Sequence, residues 1–251
     1  MITVSTLSPD DIQDLVTKAF ALEAITDKPG CTTRYQDLPG KPLPGFVIAG
    51  INTGRYFRQF AANRLQGSTL GIYGYGLDAL QNSNRHKSPK YINFGLLEIM
   101  FPTVAARLAT DDARAVIDTI LSLIKTSKQA DVAHLMDMRT MAWSTSQTVH
   151  KAAFTAEKYM HHNSVWDLYM ALYADYPLGN SNHEWAGQFQ RGLPILRSFF
   201  ATYLEAGEVL DSTKQIFLKE RAANPDVAVG ILADMCAVAI FLWLSFTDAP
   251  A

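Results

Sequence analysis

Apolar residues along this chain recur at three- and four-residue spacing, and nowhere do β-branched side chains sustain a period of two. The first run is Ile12, Leu15, Val16, Phe20 and Leu22, and it predicts a helix ending near Thr26. It opens on Ser8-Pro9-Asp10-Asp11, a capping serine, a proline at the first helical position and acids facing the positive end of the dipole. Lys28-Pro29-Gly30 stops it, because proline cannot continue the ladder and glycine frees the backbone. The same spacing predicts helices over 46–62, 92–109, 111–125, 129–141, 146–160, 163–175, 184–206, 212–222 and 225–246. Connections are short, and no repeat or low-complexity linker divides the chain. Residues 1–251 therefore read as a single all-α domain of about ten helices.

Three stretches break this rhythm. Residues 30–45 form a loop rich in proline and glycine, and a long loop inside a compact domain usually carries function. Gly71, Gly74 and Gly76 do not follow the dinucleotide-binding order, and their close spacing suits tight packing of helices. Residues 227–246 are almost wholly apolar and long enough to span a bilayer, but Asp234 interrupts them and no Lys or Arg anchors flank them. A buried core helix without a membrane span is the expectation.

Charge adds a second axis. Residues 28–90 hold nine basic side chains against two acids, a local charge of +7. Thirteen bases against twenty-two acids remain elsewhere, so a net charge of −2 conceals two opposed regions. A cationic field of this kind concentrates anions. Nucleic acid is not the expected partner, since the bases are dispersed, the total is negative and no reading motif occurs. Cys31 and Cys236 are too far apart in sequence to suggest a disulfide framework or a metal pair, and the N-terminus lacks a signal-like apolar run, which points to the cytoplasm. Cys31 lies near Lys28 and Arg34, surroundings that favour a thiolate, but with no histidine partner it is not the expected nucleophile. His134 and Asp137 share a helical face, but the six histidines form no zinc-site spacing. Asp37, among the basic loop residues, is the candidate ligand for a magnesium ion brought in with a polyphosphate.

Two motifs carry a family likeness. The run Glu23…Lys28-Pro29-Gly30…Arg34…Asp37…Phe46…Ala49 resembles the first signature of the triphosphoribosyl-dephospho-CoA synthase family. Asn93-Phe94-Gly95-Leu96-Leu97, followed by Pro102, is similar to that family's second. Weaker similarity runs through Asp112-Ala113-Arg114, Tyr173, Phe189 and Leu193-Pro194, so the likeness covers about residues 12–210 and not the apolar tail. Asp27, Cys31, Thr33 and Tyr91 stand where the family has Pro, Asn, His and Asn.

The resemblance implies an all-α transferase of cofactor biosynthesis that uses ATP, releases adenine and joins the triphosphoribosyl group to a hydroxyl of dephospho-CoA or a related precursor. Its alternative is a non-catalytic descendant that binds a nucleotide or cofactor, for example in a one-carbon cofactor pathway. By the same resemblance Lys28, Gly30, Arg34, Asn93 and Gly95 would bind phosphate or substrate. Asp37 would act as the catalytic residue and hold Mg2+ with ATP. The expected partners are ATP and a phosphorylated precursor, with a homo-oligomer as a further possibility.

Overall fold

Two helices with almost no polar face lie at the centre of the molecule: α4 (Phe94–Ala109) and α12 (Val229–Thr247). In α4 all thirteen residues over 96–108 are buried, and α12 buries twelve of its nineteen. A helix apolar on every side must be enclosed on every side. By length and composition α12 would suffice to cross a membrane, yet here it packs against α1 (Pro9–Ile25), α4, α10 (Pro194–Ala206) and α11 (Leu210–Ala223). Each Leu, Ile or Phe sealed in this way contributes about 1.5–3 kcal/mol.

The computed structural model describes residues 7–39, 41–83, 93–144 and 156–247, and among them the chain forms twelve α-helices and no strand beyond two isolated bridges. The start of α1 is as the sequence predicts: the Ser8 hydroxyl accepts from the Asp11 N–H, and Asp11 Oδ2 accepts from the Ser8 N–H at 2.8 Å. α1 packs along α2 (Leu43–Leu65), and α4 sits over α2 and against α5 (Val116–Lys125) and α6 (Gln129–Ser144). The helix predicted over 146–160 is described only as α7 (Ala156–Tyr159), the rest lying outside the described residues. α8 (Val165–Asp175) packs on α9 (Ser181–Gln190).

Proline inside α4 has a visible compensation. Pro102 has no N–H to give to the Glu98 carbonyl four residues back, and the hydroxyl of buried Tyr73 donates to that carbonyl at 3.0 Å instead. At the far end of the same helix, Arg107 reaches the Ser245 carbonyl at 3.0 Å and Asp111 Oδ1 at 2.6 Å, tying α4 to α12.

Three expectations are corrected. The helix over 184–206 is two helices, because Gly192 (φ 81°) and Leu193 (φ 57°) enter the left-handed region just before Pro194 starts α10. The Asp111-Asp112 start is a turn, in which Asp112 Oδ1 accepts from the Arg114 N–H, and α5 begins only at Val116. A helix not predicted at all, α3 (Gly76–Ser83), follows the glycine cluster. The packing reading of that cluster holds: a Cβ at Gly71 would meet Asp131 Oδ1 at 2.3 Å and one at Gly76 would meet Met138 Sδ at 2.2 Å, both on α6.

Candidate functional site

The loop after α1 is held from three directions. Lys28 is fully buried, and its ammonium sits under the open end of α1, 3.3 Å from Glu23 Oε1, 3.3 Å from the Thr26 carbonyl and 3.0 Å from the Thr26 hydroxyl, with a further bond to the Glu23 carbonyl. Arg221 of α11 donates to the Pro29 carbonyl at 2.9 Å. Gly30 beside it takes φ 90°, a conformation that favours glycine. Thr32 Oγ1 then accepts from the Leu38 N–H and donates to the Lys41 carbonyl at 2.5 Å, closing the loop into a compact turn.

Between this loop, α1 and the N-terminal ends of α4 and α12 lies a cavity of about 270 Å³, lined by Glu23, Gly30, Cys31, Lys41, Asn93 and Asp234 among others. A second cavity, of about 210 Å³, adjoins it and is lined by Phe94, Glu98, Arg139, Asn182 and Trp185. Gly230 and Asp234, one turn apart on α12, line both. The shared wall is thus a carboxyl and a glycine at the start of a helix.

Each chamber has its own electrostatics. In the first, burial raises the Glu23 carboxyl above the usual range despite the adjacent Lys28. Asp234 is held well above that range, by burial and then by Glu23, with Lys41 pulling the other way and Glu98 adding to the rise. The Asn93 side chain is 2 % exposed, and its amide nitrogen has no partner. In the second, Glu98 Oε1 accepts from Arg139, from the Tyr169 hydroxyl at 2.9 Å and from Trp185 Nε1 at 2.9 Å, while Arg139 also donates to Asn182 Oδ1 at 3.1 Å. This network fixes the floor of the chamber in one arrangement.

The predicted site residues divide. Gly30 and Asn93 line the first chamber and Gly95 the second. Lys28 lines neither, being spent on Glu23 and Thr26. Arg34 is exposed and lies over the Tyr35 ring at 4.7 Å, also away from both chambers. Asp37 is exposed, and its Oδ1 accepts from the Leu43 N–H at 2.7 Å at the start of α2. Lys41 is the one basic side chain of the loop that lines the first chamber. Arg58 pairs with Asp10 and Arg55 bonds Asn82, while Arg85, Lys87 and Lys90 lie outside the described residues. Among the described residues, the bases of the +7 stretch do not gather into one pocket. Nor does the structure make Cys31 an activated nucleophile, a reading the sequence itself disfavours: burial, then Glu23, pushes its thiol up to about 12. Among the described residues no three His, Cys, Asp or Glu side chains converge as metal ligands.

A family model described as ATP:dephospho-CoA triphosphoribosyl transferase (CitG) matches residues 9–230. The chain belongs to the CitG family. No curated protein and no solved structure matches it. The CitG match takes in both signatures, the loop, α4 and the first turn of α12 as far as Gly230, and so runs beyond the 12–210 expected from the motifs. Asp234 lies four residues past its end.

Proposed function

We propose that this CitG-family chain transfers the triphosphoribosyl group of ATP to a hydroxyl of dephospho-CoA or a related cofactor precursor, with the two adjoining chambers as its site. The observation that carries the reading is Asn93, a residue of the second signature, buried with its amide nitrogen unpartnered in the wall of the first chamber. A buried donor without an acceptor costs about 1–3 kcal/mol, and a phosphate or sugar oxygen would recover it. The first N–H groups of α4 and α12 also lack partners within their helices, and their dipoles favour an anion at that end. Lys41 adds a point charge. Magnesium enters on the triphosphate, through the nucleotide's own oxygens rather than a protein cage. Asn182, Trp185 and Phe94 give the second chamber the aromatic and amide surface that suits a planar base. Catalysis then rests on positioning and on electrostatic stabilisation, with no covalent enzyme intermediate.

The test is calorimetric titration of Mg-ATP into the protein, followed by chromatography for free adenine with and without dephospho-CoA. ATP binding together with acceptor-dependent adenine release is the expected result. Failure to bind ATP would overturn the assignment of the site. The sequestration of Lys28 favours a second reading, a nucleotide-binding descendant without transfer, and that protein would bind ATP yet release no adenine with any acceptor.

A further inference from the structure

We infer that Asp234 is the acid–base residue of this site, passing a proton from the acceptor hydroxyl in one chamber to the leaving base in the other. The inference rests on the transferase reading above and assigns a role that the signature residues leave unfilled. Its basis is position: Asp234 and Gly230 are the residues that line both chambers, and Gly230 leaves its part of that wall open, with no heavy atom within 4 Å of where a Cβ would stand. Gly95 of the second signature has no side chain, and a Cβ there would run into the Asp234 carboxyl, which would have to shift. The groups facing the carboxyl are Glu23 from α1, Cys31 and Lys41 from the loop, Glu98 from α4 and Arg139 from α6; α10 and α11 add none to either lining. Two carboxylates nearby and partial removal from water favour the acid as its resting form.

The step balances without a further reactant. The bond between the ribosyl C1 and the adenine nitrogen breaks, and its electron pair stays with adenine. Asp234 gives its proton to the departing base. The acceptor oxygen bonds to C1, and its proton goes to the Asp234 carboxylate, which restores the acid. Adenine and the triphosphoribosylated acceptor are the products.

Wild type, Asp234→Asn and Asp234→Glu are compared by ATP calorimetry and by adenine release with dephospho-CoA as acceptor, across about pH 5 to 9. The Asn variant is expected to bind ATP within about threefold of wild type and to lose about 10²–10⁴-fold in turnover. Wild-type turnover should fall as pH rises through the Asp234 titration, the Asn variant should lack that limb, and the Glu variant should recover part of the rate with the limb. An Asn variant that keeps wild-type turnover and its pH limb, or one that loses ATP binding, overturns the role of Asp234 and leaves the transferase reading standing. ATP binding without adenine release in wild type overturns both.

Discussion

The α-carbon of Gly95 is pressed against the carboxyl of Asp234: a Cβ added there would meet Asp234 Oδ2 at 2.2 Å. The glycine of the second signature thus makes room for a side chain of α12. Gly95→Ala adds a methyl that Asp234 must rotate away from. Overpacking costs about 1–3 kcal/mol, and the better helix propensity of alanine returns about 1 kcal/mol of it. Thermal unfolding should therefore show a loss of no more than about 2 kcal/mol. Adenine release should fall about 10²-fold, since misplacing a reacting group by about 1 Å has that effect. Wild-type turnover in this variant would show that the contact is packing only.

The partnership between Pro102 and Tyr73 predicts a coupling. Tyr73→Phe leaves the buried Glu98 carbonyl without a donor and should cost about 1–3 kcal/mol in urea unfolding. In a Pro102→Ala background the alanine N–H can serve that carbonyl, so the same Tyr73→Phe change should cost less, by about 1 kcal/mol. Equal costs in the two backgrounds would mean that the hydroxyl does not stand in for the missing helix bond.

Glu98 holds three donors on one oxygen beneath the second chamber. Glu98→Ala leaves the Arg139 guanidinium buried without its carboxylate, and about 3–5 kcal/mol of stability should go with it. Glu98→Gln keeps an acceptor and should cost less. Denaturant midpoints of the two variants measured side by side decide the matter.

How far this was legible in the sequence depends on range. The caps of α1, the all-helical class and the enclosure of α12 follow from local chemistry and periodicity, which a single chain displays openly. The break at Leu193 was harder, because a bulky left-handed residue is rare and only the following Pro194 hints at it. Gly30, Asn93, Lys28 and Arg34 are all motif positions, but a motif does not reveal burial or direction, and Lys28 and Arg34 point away from the chambers. Asp234 was visible only as the single acid in an apolar run. That acid spoke only against a membrane span; its partners Glu23, Gly95 and Glu98 are distant in sequence, and only the fold brings them together.

Basic residues of the loop should separate by position. Lys41→Ala, which empties the first chamber of its basic side chain, should weaken Mg-ATP binding by about 1.5–3 kcal/mol, the worth of a charge-assisted contact. Arg34→Ala, on an exposed residue stacked over Tyr35, should change binding by less than about 0.5 kcal/mol. Calorimetry on both variants at one salt concentration tests the pair, and the reverse ranking would move the phosphate site out to the loop surface.

The raised carboxyls also set how stability depends on pH. For Asp234 and Glu23 the folded state binds the proton more tightly than the unfolded chain does. Their contribution is then complete below the ordinary carboxylate range, near pH 4, and is lost as pH rises toward the folded-state titration. In that window each such group lowers stability by at most about 1.4 kcal/mol per pH unit, because the native state holds a proton that the unfolded state has released. Asp234→Asn removes one of the two groups while keeping its shape. Urea unfolding between about pH 4.5 and 7.5 should therefore give a flatter slope for the variant, with the two proteins diverging most at the upper end, where the variant is the more stable. Parallel slopes would mean that the Asp234 carboxyl titrates in the folded protein as it does in the unfolded one, and with that the acid resting form of Asp234 would be lost.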